Sequence, residues 1–221
     1  MKTLQRWVSR RGALPLTCYL VAAALWLVLG AVHWGSDALA RSAGTLYEAD
    51  IPVADWKLAG LQDNGGTADT ALLTTTDGDP QMILEDVSDM VVRTLSYTVA
   101  FEGDAREMCL YYTTKIGEDY SQDRRVFPQA LGEGRYLYTL PRTSIVALRL
   151  DPCSPDENKT VGLTFAPGTI FLNAPETLPA VWQYFVPSWY QAFCLMLYPA
   201  LAAAALSWLR AVWCALRRKT A

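Results

Sequence analysis

The chain has 221 residues, 52 % of them hydrophobic and 19 % charged, and its formal net charge is −3. This length allows one domain of ordinary size plus additional segments. The single histidine, His33, excludes a zinc site built from several histidines. Apolar residues are concentrated at the two ends, because residues 12–36 and 177–209 contain no Asp, Glu, Lys or Arg.

The first uncharged run predicts a transmembrane helix over residues 14–34, since about 20 apolar residues cross a bilayer. Basic residues precede this run, so residues 1–13 are predicted to form a cytoplasmic N-terminus. A secretory signal peptide covering residues 1–40, with a cleavage site at Ala38-Leu39-Ala40, is the alternative. The run is longer than the usual apolar region of a signal peptide, about 7–15 residues, which favours an uncleaved helix.

Residues 45–173 are predicted to form a mainly β domain, an extracytoplasmic β-sandwich or jelly roll. Leu95, Tyr97 and Val99 alternate with small or polar residues, and this period of two buries one face of a strand. The same alternation occurs in residues 107–112 and 145–150. Many further short apolar runs are separated by turn sequences, which is typical of a sandwich.

The second uncharged run predicts a transmembrane helix over residues 188–209, after a linker and interface segment at residues 174–187. Pro199 is tolerated in a membrane helix. Residues 210–221 form a basic tail. Because basic residues flank both runs and every acidic residue lies between them, we predict two cytoplasmic termini in the cell membrane and an extracytoplasmic middle.

Four segments of the middle region, in this order and spacing, resemble carbohydrate-binding-type (galactose-binding-like) jelly-roll domains. They are TTTDGDPQMIL (74–84), CLYYTT (109–114), YSQDRRV (120–126) and IVALRLDP (145–152). Such domains occur in bacterial membrane glycosyltransferases and glycosidases. The resemblance implies a jelly-roll fold, a bacterial source and a function related to sugars. It implies no enzymatic activity, since the chain carries no transferase or hydrolase domain.

Aromatic side chains are candidate ligand-binding residues, because their faces stack on the apolar C–H faces of sugar rings. The candidates are Trp56, Tyr111, Tyr120, Tyr136 and Tyr138. Tyr111 is the better candidate of the neighbouring pair in its strand, since it lies on the face opposite Leu110. The alternative for each residue is a place in the strand core, where tyrosine is common.

Four aspartates bracket a turn and a strand end, and hard oxygen ligands of this kind suit calcium. They are Asp77, Asp79, Asp86 and Asp89. The resembled domains often carry a structural calcium ion, the one cofactor we consider. The alternative is turn chemistry, in which an aspartate caps its own backbone.

Two further pairs of residues are singled out in the middle region. Cys109 and Cys153 are the only cysteines there, and an oxidising exterior would favour a disulfide between them if the geometry permits one. Arg149 is expected to pair with Asp151, since residues two apart on a strand share a face.

The favoured function is a non-catalytic, membrane-anchored accessory protein that presents a glycan-binding module outside the cell. Small residues in both helices permit close packing against a partner, such as a membrane glycosyltransferase or a glycan exporter. No nucleic-acid partner is expected. One alternative is a membrane-tethered glycan hydrolase that uses Glu118, Asp119 and Asp123. The other is a structural surface module that contacts proteins.

Overall fold

The structure is a computed structural model that describes residues 13–67, 69–156 and 159–219. Residues 1–12, on which most of the predicted cytoplasmic N-terminus falls, lie outside the described residues. The last two residues of the predicted basic tail do so too. The chain divides into two compact units. One unit joins Met1–Asp37 to Pro179–Ala221, and the other comprises Ala38–Leu178.

The unit at Ala38–Leu178 is built from β-strands. In chain order they are β1 (Ala49–Pro52), β2 (Lys57–Ala59), β3 (Leu61–Thr67), β4 (Thr70–Thr75), β5 (Gln81–Leu84), β6 (Thr94–Glu102), β7 (Cys109–Thr113), β8 (Arg125–Val126), β9 (Gln129–Gly132), β10 (Arg135–Thr139), β11 (Ala147–Asp151), β12 (Gly162–Phe165) and β13 (Thr169–Leu172). The long helices are α1 (Ala13–Ser42) and α2 (Trp189–Lys219).

The strands form two antiparallel sheets that enclose one core. The larger sheet has the order β1-β13-β6-β12-β4-β3, and β10 pairs with both β6 and β9. The smaller, five-stranded sheet has the order β2-β5-β11-β7-β8. Both sheets contribute buried residues to the same hydrophobic cluster. The predicted β-sandwich is therefore confirmed.

Alternation along the strands decides which side chains enter the core. On β6, Leu95, Tyr97 and Val99 are at most 2 % exposed, and on the opposing sheet Leu110 and Leu150 are fully buried. Burying one large apolar side chain stabilises the fold by about 1.5–3 kcal/mol. The period-two pattern in the sequence predicted the inward face of these strands correctly.

Two strands differ from the sequence-based expectation. β3 runs through Asp63-Asn64-Gly65-Gly66, which is one of the turn sequences between the short apolar runs. Its register with β4 shifts between Asp63 and Gly66, as in a β-bulge. β9 was not predicted, because all four of its residues are exposed and it has no buried face to produce alternation.

Helix α1 extends eight residues beyond the predicted span and ends at Ser42. Gly44 follows with a φ of +71°, and the amides of Thr45 and Leu46 both donate to the carbonyl of Ala40. A left-handed glycine just after the last turn is the usual way to satisfy the terminal carbonyls of a helix.

Helix α2 begins with a reciprocal cap. The Ser188 hydroxyl accepts a hydrogen bond from the Gln191 amide at 3.3 Å, and the Gln191 side chain accepts one from the Ser188 amide at 2.8 Å. This pairing satisfies two amide groups that the first turn of a helix leaves free.

Both long helices are apolar and expose most of their large side chains. By length and composition, Ala13–Ser42 and Val181–Arg217 are each sufficient to cross a membrane, with mean hydropathies of 2.0 and 1.8 in their most apolar windows. Only 6 % and 11 % of those windows are buried in the molecule. A water-soluble protein would normally bury such surfaces in its core.

The helices contact each other within their own unit. The Trp26 indole donates to the Phe185 carbonyl at 3.0 Å, and the Tyr19 hydroxyl donates to the Met196 carbonyl at 2.9 Å. Gly30 allows a close approach, since a Cβ atom there would lie 2.7 Å from the Tyr184 carbonyl oxygen. The first helix therefore packs against α2 and the segment that precedes it.

Candidate functional site

The outer face of the five-stranded sheet carries a row of charged and aromatic side chains. Strand registers place Lys57, Ile83, Arg149, Tyr111 and Arg125 side by side, one from each strand. Because successive residues of a strand point to opposite faces, and their neighbours enter the core, this row faces away from the core.

Arg149 forms a two-point ion pair with Asp151 at the centre of the sheet. Its Nε atom lies 2.8 Å from Asp151 Oδ1 and its Nη2 atom lies 2.8 Å from Asp151 Oδ2. The Nη2 atom also lies 3.1 Å from Asp79 Oδ1. Burial raises the pKa of Asp151, and the hydrogen bonds from Arg149 oppose that rise. The pair predicted from the sequence is confirmed.

Tyr111 lies beside this ion pair and is covered by it. The Arg149 guanidinium stands 5.0 Å from the centre of the Tyr111 ring, a cation–π contact, and Tyr111 is 6 % exposed. Burial raises the pKa of Tyr111, whereas hydrogen bonds from Arg125 and Gln122 lower it. The ring face is therefore occupied, and Tyr111 contributes to this site through polar contacts.

A cavity of about 350 Å³ opens on this face, which we call the sheet-face cavity. It is lined mostly by polar groups: Asp79, Glu107, Cys109, Tyr111, Gln122, Arg125, Arg149, Asp151, Cys153 and Ser154. One wall of the cavity includes a short 3₁₀ helix at Gln122–Arg124, which leads directly into β8. The Ser121 hydroxyl caps this helix. The volume is at the lower end of the range of small-molecule sites, about 300–1,000 Å³.

The predicted aromatic residues do not form one exposed platform. Trp56 is 3 % exposed and Tyr138 is fully buried, so both belong to the core, which is the alternative role considered for each residue. Tyr136 packs against the same core, 5.8 Å from the Tyr97 ring centre. Tyr120 is half-buried near Arg149, whose charge opposes the rise in the pKa of Tyr120 caused by burial.

The four aspartates proposed as calcium ligands are not assembled into a site. Asp77 accepts a hydrogen bond from the Asp79 amide, Asp86 accepts from Ser88, and Asp79 binds Arg149. Among the residues the structure describes, no group of three or more His, Cys, Asp and Glu side chains could hold a metal ion. Turn capping engages Asp77 and Asp86, and an ion pair engages Asp79. The calcium site at Asp77, Asp79, Asp86 and Asp89 stays a prediction from the sequence.

Cys109 and Cys153 line the same cavity but are free thiols. The disulfide predicted between them is therefore not formed in this structure. Burial raises the pKa of Cys109 to about 11 and that of Cys153 to about 12. Both thiols are consequently neutral near pH 7 and are poor nucleophiles.

Glu118, one of the three carboxylates proposed for hydrolysis, is engaged by other groups of the chain. Glu118 forms an ion pair with Arg124 and accepts a hydrogen bond from the Thr114 amide at 3.0 Å. These contacts, the Arg124 hydrogen bond first, lower the pKa of Glu118 to about 2. A general acid needs a raised pKa, so Glu118 is unsuited to that role.

We expect Glu118 to make the domain sensitive to acid. A carboxylate with a lowered pKa contributes stability that is complete above its unfolded value, near 4.3, and is lost as the pH falls towards 2. Between pH 5 and pH 2 the urea midpoint should therefore fall more steeply for the wild type than for Glu118→Gln. The urea midpoint of Arg124→Gln should likewise depend less on pH than that of the wild type. If the urea midpoints of both variants fall with pH as steeply as the wild-type midpoint, the lowered pKa of Glu118 does not explain the acid sensitivity.

Several residues of the sheet-face cavity were not singled out from the sequence. Gln122, Arg125 and Ser154 lie in a short 3₁₀ helix, at a strand end and in a loop, where no periodic pattern indicates a direction. Glu107 begins the alternating run at residues 107–112, but it lies before the strand itself, which starts at Cys109. Arg125 reaches the cavity because it pairs with Tyr111 across the edge of the sheet. Alternation along β7 and β11 predicted that Tyr111 and Arg149 face outward, but it did not predict which loops surround them.

No protein-family model and no curated protein matches the chain. Solved structures similar to it include a low-affinity xylan-binding module, CBM86, from Roseburia intestinalis, with a TM-score of 0.36, 15 % identity, and coverage of 57 % of this chain and 94 % of that one. A β-1,3-glucan-binding CBM6 from Bacillus halodurans has a TM-score of 0.37 and 8 % identity, covering 59 % and 97 %. The K2 cleaved adhesin domain of Lys-gingipain has a TM-score of 0.38 and 12 % identity, covering 58 % and 100 %.

Carbohydrate-binding modules, the class that the sequence resembles, are thus among the structural neighbours.

Proposed function

We propose that this chain is a non-catalytic, membrane-anchored glycan-binding protein whose β-sandwich is presented outside the cell. The sheet-face cavity is the observation on which the proposal rests. It is a concave site on rigid strands, and its lining combines guanidinium groups, carboxylates, an amide and hydroxyls. Such a set can both donate to and accept from the hydroxyl groups of a sugar.

The ion pairs make this site well ordered before a ligand arrives. Arg149 is held by Asp151 at two points and by Asp79 at a third, which keeps its remaining N–H groups in a fixed direction. Hydrogen bonds to charged groups contribute about 1.5–3 kcal/mol each, more than those between neutral groups. Recognition in this cavity therefore relies on polar contacts, since the face of Tyr111 is covered by Arg149.

The distribution of charge supports the membrane part of the proposal. All 22 acidic residues lie between the two apolar runs, whereas eight of the 19 basic residues lie outside them. Basic flanks favour the cytoplasmic side of a membrane, and this distribution supports a position of the acidic sandwich outside the cell. Two helices with exposed apolar surfaces would hold the domain close to the bilayer.

We further propose that the protein serves surface-glycan synthesis or export as an accessory subunit. The described part of α2 contains a run of small residues, Ala202 to Ala205, of which Ala202, Ala204 and Ala205 are exposed. Small residues allow close approach between helices in a bilayer. A membrane glycosyltransferase or a polymer exporter is the class of partner that fits this arrangement.

Binding to a glycan array tests the proposal. The full chain should be used in phosphatidylcholine nanodiscs, because many mild detergents carry sugar headgroups that would compete. We expect retention of at least one class of glycan. Binding should weaken about tenfold in Gln122→Ala/Ser154→Ala, since two exposed hydrogen-bonding groups of the cavity are lost without disturbing the core.

Gln62→Ala is the matched control, because Gln62 is exposed on β3 in the other sheet. It should bind as the wild type does. Absence of binding to every glycan would contradict the proposal, as would equal binding by the cavity variant and the wild type.

A further inference from the structure

The charges of the sheet-face cavity lie in two layers. The guanidinium side chains are the more buried, with exposed fractions of 19 % for Arg149 and 33 % for Arg125. The carboxylates beside them are far more exposed, 68 % for Asp79 and 57 % for Glu107. A ligand that approaches the cavity therefore meets negative charge at the rim before it reaches the positive charge beneath.

The two guanidinium groups are already engaged by carboxylates of the chain itself. Asp151 binds Arg149 at two points, and Asp79 binds the same guanidinium from the rim. Glu107 Oε1 lies 3.4 Å from Arg125 Nη1. The lining thus contains three carboxylates against two guanidinium groups, so the cavity carries an excess of negative charge.

An acidic sugar would face a double cost at this site. Its carboxylate, sulfate or phosphate would lie next to Asp79 and Glu107, and like charges in contact repel each other. To bind the Arg149 Nε and Nη2 atoms it would also have to displace a carboxylate that already makes good charge-assisted hydrogen bonds. A hydroxyl or ammonium group, in contrast, donates directly to the exposed carboxylate oxygens of the rim.

Resting on the proposed glycan-binding function, we infer that the sheet-face cavity selects glycans built from neutral or amino-bearing sugars and rejects acidic ones. The rim carboxylates of Asp79 and Glu107 are the groups that impose this selection. Discrimination arises from repulsion of the wrong ligand as much as from attraction of the right one.

The test compares neutral, amino-bearing and acidic oligosaccharides on one array, the acidic set comprising uronates, sialates, sulfates and phosphates. The full chain is used in phosphatidylcholine nanodiscs at low ionic strength. We expect neutral or amino-bearing glycans to bind at least about tenfold more tightly than acidic glycans of the same backbone. The difference should shrink at 1 M salt, where the Debye length is about 3 Å.

In the double variant Asp79→Asn/Glu107→Gln, neutral or amino-bearing glycans should bind less than about threefold more tightly than acidic glycans of the same backbone. The variant removes the rim charge and keeps similar side-chain shapes. Glu85→Gln is the control. Glu85 pairs with Lys57 on the same sheet and does not line the cavity, so its removal should leave the preference unchanged.

Two failures can be told apart. Tight binding of acidic glycans by the wild type, or a preference that the rim variant leaves unchanged, would overturn this inference alone. Absence of binding to all three classes would overturn the proposed function and this inference with it.

Discussion

Asp151→Ala is expected to destabilise the sandwich by about 3 kcal/mol and to abolish glycan binding. Removing one partner of a buried ion pair leaves an uncompensated charge, which costs about 3–5 kcal/mol. The lower value applies because Arg149 keeps its contact with Asp79 and is 19 % exposed. The loss of stability can be measured within the sandwich itself, from the rate of hydrogen exchange of the β7 and β11 amides in the full chain. Mass spectrometry detects this exchange.

The double variant Arg149→Met/Asp151→Leu separates stability from binding. Replacing a buried ion pair by apolar side chains of similar size is often neutral or stabilising, so protection of β7 and β11 should return to within about 1 kcal/mol of the wild type. Glycan binding should stay lost, because the ordered guanidinium and its carboxylate are gone. A double variant as unstable as Asp151→Ala, or one that still binds glycan, would contradict the account of this ion pair.

Asn173→Ala is expected to cost roughly 4 kcal/mol of stability. Asn173 is 1 % exposed, and its side chain makes four hydrogen bonds to the backbone. Its Oδ1 atom accepts from the amides of Arg93 and Thr94, and its Nδ2 atom donates to the carbonyls of Tyr47 and Val91. Each such bond contributes about 0.5–1.5 kcal/mol net, and alanine leaves its partners buried and unsatisfied.

The backbone at Asn173 adds to this cost, since its φ of +55° suits asparagine or glycine better than alanine. Asn173→Gly should therefore be somewhat less harmful than Asn173→Ala, although it loses the same hydrogen bonds. Asn64→Ala is the control: Asn64 is exposed and its side chain donates one hydrogen bond to the Thr74 hydroxyl, so the change should be within about 0.5 kcal/mol. Equal effects of Asn173→Ala and Asn64→Ala on urea unfolding would contradict this assignment.

Local patterns predicted the features of the fold that lie within one strand. Alternation in β6 identified Leu95 and Val99 as core residues, and the spacing of two residues paired Arg149 with Asp151. Because successive side chains of a strand point to opposite faces, such statements need no knowledge of neighbouring strands. The outward position of Tyr111 was predictable for the same reason.

The sheet-face cavity could not be predicted, because it depends on contacts between distant segments. Asp79 reaches Arg149 only because β5 and β11 are adjacent in the sheet, although the residues are 70 positions apart. Asp79 was instead interpreted as a metal ligand in a turn. The sequence of one strand does not indicate which other strand pairs with that strand, or which loop covers its outer face.

The aromatic residues illustrate a second ambiguity. In β10, Tyr136, Leu137 and Tyr138 are all apolar or aromatic, so alternation does not tell which of them faces the core. Pairing with β6 resolves the question: Tyr138 becomes fully buried, and its hydroxyl lies 3.1 Å from that of Tyr97. Its polar group is thereby satisfied inside the sandwich rather than by a ligand.

The most direct test of the central proposal is to incubate intact cells that express the full chain with a fluorescent glycan, the tightest ligand found on the array. We predict that wild-type cells bind the glycan from outside without permeabilisation, and that cells expressing Gln122→Ala/Ser154→Ala at the same level bind about tenfold more weakly. Binding that appears only after permeabilisation, or that is equal in both cell types, would contradict a glycan site on the exterior face of the membrane.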